Sequence, residues 1–376
     1  EQWVSKSKEI TIPNQMFIDG EFVSAVSGAT FDAISPIDQR VLAKVASGDS
    51  IDVDKAVAAA KRTFENGVWR ELNPRDKKAI MLKWADLIRE NHEEIALLET
   101  LEVGKPIGDT SGYDSLAVAR VIQWYGEAID KRYDEIAPAP TNSLAMITRE
   151  PLGVIGAVVP WNYPIVIASW KIGPALAMGN SMVLKPSEES SLAILRIAQL
   201  GIEAGLPKGV FNVVTGLGDQ AGQALARHMA VAKIAFTGSG PVGKKMLQYA
   251  AESNLKQVAL ELGGKSPQVV LDDVVDLDKA ASTIAWGIYY NAGQTCNAGS
   301  RVIVHESIKE KGRHTQVTAL MAVGDECAQR VPHAQDIKPA GPSPGQRCCQ
   351  KRQDHSQPCR PAPCGRCRYW PSSGPP

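Results

Sequence analysis

Six short apolar runs recur from residue 154 onward: Val154 to Val159, Met182 to Leu184, Phe211 to Val214, Val231 to Phe236, Val258 to Leu260 and Gln268 to Leu271. Helical stretches separate several of them, among them Leu192 to Ala204, Gln220 to His228 and Val242 to Glu252. Strands alternating with helices predict a parallel sheet covered on both faces, because each crossover lays a helix against it. Such a sheet binds ligands beyond the carboxyl ends of its strands. Two helices are expected upstream. Asp54 to Asn66 carries Val57, Ala60 and Phe64 on one face. Pro74 opens the second, whose stripe of Ile80, Trp84, Leu87, Ile88, Ile95 and Leu98 runs until Gly104 stops it.

At 376 residues the chain buries a large core and is expected to hold more than one domain. Lys plus Arg equals Asp plus Glu at 41 each, so nothing draws it as a whole to nucleic acid or an anionic membrane. The polar start, Glu1 to Ile10, has no signal-peptide pattern. One uncharged run, Pro151 to Trp170, is long enough to raise a membrane span. Pro160, Asn162 and Pro164 break it, and it alternates like buried strand plus loop. A cytoplasmic protein is the expectation.

Composition changes after Lys311. Residues 312–376 hold 10 of the 24 prolines and six of the seven cysteines, leaving Cys296 alone in the body. Nine Lys/Arg stand there against four Asp/Glu, and the few large apolar residues keep no period. Such a segment does not build a core. Cys364-x-x-Cys367 with Cys359, Cys348 or His355 could supply four zinc ligands. One such pair without a second well-spaced one is a weak signature, and no metal is assigned.

Four stretches could carry chemistry. Val231–Phe236 runs into Thr237-Gly238-Ser239-Gly240-Pro241-Val242-Gly243, a strand, a glycine turn and a helix opening. Glycines admit a phosphate, and a helix amino terminus offers free N–H groups; the same pattern also serves a tight βα turn, and its spacing would give Glu261 to a ribose. Lys185-Pro186-Ser187-Glu188 pairs a cation and a carboxylate past a strand end, suited to a ribose diol or simply to a solvated loop. Glu261-Leu262-Gly263-Gly264-Lys265 sets a carboxylate beside two glycines, where a structural salt bridge is the alternative. Gly293-Gln294-Thr295-Cys296-Asn297-Ala298-Gly299-Ser300-Arg301 flanks the lone cysteine with glycines and polar residues, unlike a core thiol, although a buried inert cysteine stays open. No histidine lies nearby in sequence, so a Cys–His pair gains no support.

Taken in order, Pro160-Trp161-Asn162, Lys185 to Glu188, Phe236 to Ser239, Glu261 to Gly264 and Gly293 to Cys296 resemble the motifs of the NAD(P)-dependent aldehyde dehydrogenases at similar spacing. Leu101-Glu102-Val103-Gly104-Lys105-Pro106 is also similar to a segment of that family. The resemblance implies a three-layer Rossmann-type parallel sheet, with an NAD-binding domain over 1–262 and the start of an α/β catalytic domain over 263–311. It also implies an oligomerisation hairpin near 131–150. On this resemblance Cys296 attacks an aldehyde carbon, Asn162 and the Cys296 backbone N–H stabilise the oxyanion, and Glu261 becomes the general base of deacylation. Lys185 and Glu188 would take the ribose hydroxyls, with Trp161, Gly238, Ser239 and Gly243 also at the cofactor. The Glu188 carboxylate favours NAD over NADP, since it repels a 2′-phosphate. Tyr163, Trp170 and Tyr290 match substrate-tunnel positions, where aromatics hold an ammonium by cation–π contact or fit an apolar chain. Ile122-Gln123-Trp124-Tyr125-Gly126-Glu127-Ala128-Ile129-Asp130-Lys131 resembles the aminoaldehyde dehydrogenases, notably the γ-glutamylaminobutyraldehyde type, so an ω-amino or acylamino aldehyde is the expected substrate.

The resemblance covers roughly the first 311 residues. The rest of the family's catalytic domain is absent, and the composition beyond Lys311 resembles a GC-rich gene read out of frame. A frameshifted or truncated product is the expectation. Two functions therefore stand: an aldehyde dehydrogenase, homo-oligomeric as in the family, or a non-catalytic nucleotide-binding remnant of one.

Overall fold

The computed structural model describes residues 2–309; the expectations for residues 312–376, the cysteine-rich stretch included, fall outside them. Helix α1 (Gln2–Glu9) leads into four short strands, β1 (Met16–Ile18), β2 (Glu21–Val23), β3 (Thr30–Ile34) and β4 (Val41–Ala46). Helices α2 (Ser50–Glu65), α3 (Pro74–Glu90), α4 (His92–Val103), α5 (Ile107–Asp109) and α6 (Ser115–Ala128) follow, then the hairpin of β5 (Glu135–Ala137) and β6 (Ala145–Ile147). From there strand and helix alternate through β7 (Val154–Val158), α7 (Pro164–Ala177), β8 (Ser181–Lys185), α8 (Leu192–Ala204), β9 (Phe211–Val213), α9 (Gln223–Arg227), β10 (Val231–Gly238), α10 (Gly240–Ala251) and β11 (Gln257–Leu262). Strand β12 (Pro267–Val270), helix α11 (Leu277–Tyr289) and strand β13 (Arg301–Val304) complete the described chain.

Seven strands form one sheet in the order β11-β10-β7-β8-β9-β1-β2. The five from β11 to β9 are parallel, as expected, while β1 and β2 add an antiparallel edge. Alternation along the central strands divides two cores. Ile155, Ala157, Met182 and Leu184 face the layer holding Trp84, Ile165 and Leu195. Val154, Val158 and Val183 face the layer holding Val53, Leu225 and Met246. The three layers follow from this period of two under helices on both faces. Two tryptophans anchor the first layer with their polar ends satisfied. Trp84 Nε1 donates to the Ile197 carbonyl at 3.0 Å and Trp69 Nε1 to that of Leu176 at 2.9 Å, both rings fully buried.

Three local readings need correction. The helix opened by Pro74 is two helices, because Asn91 breaks it and turns its side-chain amide onto the Leu87 carbonyl at 2.7 Å. Gly104 does end the second, at φ 75°, which a side chain resists; Pro36 also lies 2.8 Å from where its Cβ would be. Helix α2 begins four residues earlier than Asp54, since Asp49 and Asp52 form a reciprocal capping box. The uncharged run Pro151 to Trp170 is strand only to Val158, and Pro164 opens α7. The β-branched residues Ile165, Val166 and Ile167 had hidden that helix. Among the described residues no helix is long and apolar enough to cross a membrane.

Candidate active site

Registry brings the motif residues to one edge of the sheet. Val158 pairs with both Lys185 and Phe236, Thr237 with Glu261 and Gly238 with Leu262. The loops leaving β7, β8, β10 and β11 therefore emerge together beyond the strands' carboxyl ends, where a parallel sheet presents a ligand site.

Lys185 ends β8 with only 2% of its surface exposed, and its Nζ lies 2.9 Å from Glu188 Oε2. Burial draws this ammonium below the usual lysine range, against the charges of Glu188 and Asp219. Burial pushes the Glu188 carboxyl up, but the Lys185 charge and hydrogen bonding carry it below the usual carboxylate range. Glu188 is thus held ionised with an open side. Next along the sheet, Ser239 caps α10 in extended conformation without a side-chain hydrogen bond to the helix. A Cβ on Gly240 would meet nothing within 4 Å, while the buried Thr237 hydroxyl has no hydrogen-bond partner among the described residues. An open glycine turn, free helix N–H groups and a paired cation and carboxylate fit a dinucleotide. Gly243 has a different local reason: a Cβ there would come 2.7 Å from Leu262 Cδ2, so it lets α10 approach β11. Trp161 is partly exposed in the loop after β7.

Cys296 is an exposed free thiol on the loop between α11 and β13. Asn162 reaches this loop, donating Nδ2 to the Gln294 carbonyl at 2.6 Å. Asn291 answers by donating to the Asn162 carbonyl at 3.3 Å. Gly264 approaches from the other side; a Cβ on it would lie 3.0 Å from the Cys296 carbonyl oxygen. Glu261 is exposed three residues earlier, at the end of β11. The structure so brings Asn162 and the Glu261–Gly264 segment to the two sides of the cysteine loop. Sequence reasoning missed Lys171 on α7. Burial lowers its ammonium and the Glu261 charge lifts it, which puts the two groups within electrostatic reach. A lone cation in the apolar run Pro164–Ala177 was the available signal.

The aromatics divide. Tyr163 and Tyr290 stack at 6.4 Å between centroids and 27° between planes. Trp170 lies two turns beyond Tyr163 on α7 and is 53% exposed. Behind the pair, Lys105 Nζ sits 3.6 Å from the Tyr163 centroid, 2.6 Å from Asp114 Oδ2 and 3.7 Å from Glu99 Oε1, with all three charged side chains buried. Burial first, then Asp114, pushes the Glu99 carboxyl well above its usual range, and burial also raises Asp114 against the Lys105 charge. Burial likewise raises the Tyr163 phenol, which stays protonated. Among the described residues no cluster of three His, Cys, Asp or Glu is arranged to hold a metal.

The model of the aldehyde dehydrogenase family matches residues 22–335, which extends past Lys311. The chain is 51% identical over 309 residues to the NADP/NAD-dependent aldehyde dehydrogenase PuuC of Escherichia coli, covering 82% of this chain and 62% of that protein. It is similar to a γ-glutamyl-γ-aminobutyraldehyde dehydrogenase of Burkholderia cenocepacia, with 55% identity, a TM-score of 0.84, and 85% and 65% of the two chains covered. An indole-3-acetaldehyde dehydrogenase solved with NAD+ matches at 51% identity, a TM-score of 0.84 and the same coverage. The chain spans less than two thirds of the length of these relatives.

Proposed function

Since the chain belongs to the aldehyde dehydrogenase family, we propose that it oxidises an aldehyde to a carboxylic acid with NAD, using Cys296 as nucleophile. The observation that carries this reading is the 2.6 Å bond from Asn162 Nδ2 to the Gln294 carbonyl, two residues before Cys296. That bond uses one hydrogen of the amide and leaves the second for an oxyanion at the cysteine. Cys296 attacks the aldehyde carbon as thiolate, and the Asn162 amide and the Cys296 backbone N–H hold the resulting oxyanion. NAD, when bound, supplies the hydride acceptor. Glu261 takes a proton from the water that releases the acyl group from sulfur.

Lys185 and Glu188 hold the ribose hydroxyls, and the ionised Glu188 favours NAD over NADP. Gly238 and Ser239 face the pyrophosphate, Gly243 lets α10 pack close beneath it, and Trp161 borders the cofactor. The substrate class is an ω-amino or acylamino aldehyde held against Tyr163, Tyr290 and Trp170; the likeness to a γ-glutamyl-γ-aminobutyraldehyde dehydrogenase supports this. The dinucleotide-binding domain takes residues 1–262 and the catalytic domain starts at 263; the end of the large sheet at Leu262 and the separate β12–β13 pair support that division. The exposed Ile136, Met146 and Ile147 of the β5–β6 hairpin support association of copies through it. The reading takes the protein as cytoplasmic.

A second reading, dinucleotide binding without turnover, is favoured by the exposure of Glu261 and Cys296. One assay separates the two: NADH formation from γ-glutamylaminobutyraldehyde and NAD, alongside Cys296→Ala and a fluorescence titration of NAD. Turnover lost in Cys296→Ala supports the dehydrogenase; NAD binding with no NADH formed selects the second reading.

A further inference from the structure

The nucleophile loop is closed at its base by one side chain. Gln268, on β12, donates the two hydrogens of Nε2 to two carbonyls, that of Ile284 in α11 at 3.1 Å and that of Gly299 at 2.8 Å. Gly299 N–H in turn donates to the Gly287 carbonyl at 3.0 Å, so the loop from 287 to 299 is tied at both ends. Two glycines are shaped around this amide. A Cβ on Gly287 would come 3.0 Å from Gln268 Oε1, and one on Gly299 would overlap the amide nitrogen. Inside the tie, Asn291, Ala292 and Gly293 run left-handed, with φ of 50°, 55° and 75°. For Asn291 and Ala292 that conformation costs free energy and persists only if the surroundings hold it. Cys296 is three residues from the tied carbonyl.

We propose that Gln268 is the positioning residue of the nucleophile: its carboxamide holds the loop base so that the Cys296 sulfur meets the carbonyl carbon while the Cys296 N–H and the Asn162 amide meet the oxygen. The inference rests on the reading of Cys296 as nucleophile. A carboxamide is the side chain of this length that satisfies two carbonyls at once. Methionine has the length without a donor, and an ionised glutamate would repel both carbonyls.

Two single-turnover reactions of Cys296 separate positioning from general loosening. Acylation by p-nitrophenyl acetate forms the sulfur–acyl bond, expels p-nitrophenolate and passes through an oxyanion. Alkylation by iodoacetamide displaces iodide and develops none. Both are followed in the full chain by the mass of tryptic peptide 280–301, which contains no other cysteine. In Gln268→Met, acylation should fall about tenfold or more, the scale of a misplaced reacting group, while alkylation stays within about threefold. In Gln268→Glu the acylation defect, taken as a ratio to the natural chain at each pH, should shrink as pH falls and the acid regains a donor. That second variant decides the matter if Gln268→Met fails to fold. Equal changes in both reactions, or no change in acylation, would overturn the proposal and leave the nucleophile in place. A natural chain whose Cys296 is acylated no faster than a peptide thiol would overturn both.

Discussion

Asn162 and Gln294 are joined by a 2.6 Å hydrogen bond across 132 residues of sequence. It fixes the loop after β7 to the loop that carries Cys296. The bond is made by an amide in a part-exposed site, so removing it changes little in overall stability and much in geometry. Asn162→Ala should slow acylation of Cys296 by about 10² to 10³, the range for loss of one oxyanion donor. The thermal midpoint should fall by only a few degrees, on the order of 1 kcal/mol. Stopped-flow acylation and a melt on the same samples check both halves.

In the proposed function Lys185 and Glu188 act as a cofactor filter, which a substitution tests. With the carboxylate gone, a 2′-phosphate meets Lys185 without an anion beside it. Glu188→Gln should tighten NADP relative to NAD by about tenfold, equal to 1.4 kcal/mol. Fluorescence titration of both nucleotides measures the ratio; an unchanged ratio removes Glu188 from the ribose site.

Glu102 gives the fold a pH dependence. Its carboxyl is buried on α4 and accepts the N–H groups of Leu192 at 2.7 Å and Ala193 at 3.2 Å, at the start of α8. Burial raises its pKa from 4.5 to about 8, outweighing the N–H groups that lower it. Because the folded value lies above the unfolded one, the stabilising contribution of the protonated form is complete below pH 4.5 and is lost as pH rises through 8. The thermal midpoint of the natural chain should fall between pH 6 and 9, and Glu102→Gln should flatten that fall by on the order of 5 °C. Melts across that range test it; parallel curves would contradict the assignment.

The Lys105–Asp114 pair is costly to break singly. Lys105→Met strands a buried carboxylate and should destabilise by about 3–5 kcal/mol, whereas Lys105→Met with Asp114→Asn should recover more than half of that. Urea unfolding of the set measures the coupling. Additive losses would mean the two groups act independently.

The parallel sheet was legible because β7, β8 and β9 are buried apolar runs with helical spacing between them. The antiparallel strands β1 and β2 are three residues each, too short to show a period, and were missed. Asn91 as a break was invisible because the stripe of α3 continues in phase into α4. At the site, the residues carried by short local motifs were the ones the sequence singled out. Lys171, Gln268 and the Lys105–Tyr163 contact were not, since each acts across elements far apart in the chain. The roles of Glu102 and Gly104, a cap on α8 and a left-handed helix end, explain two residues of a motif first noted only as a likeness.

The central claim is that acyl transfer runs through one sulfur, and a stalled intermediate tests it most directly. Glu261→Gln should still attack aldehyde in the presence of NAD but release the acid slowly. Rapid quench and mass analysis of peptide 280–301 should then find the acyl group on Cys296, in amounts rising with the NADH formed. NADH formed at the natural rate with that peptide unmodified, or in Cys296→Ala, would contradict the account.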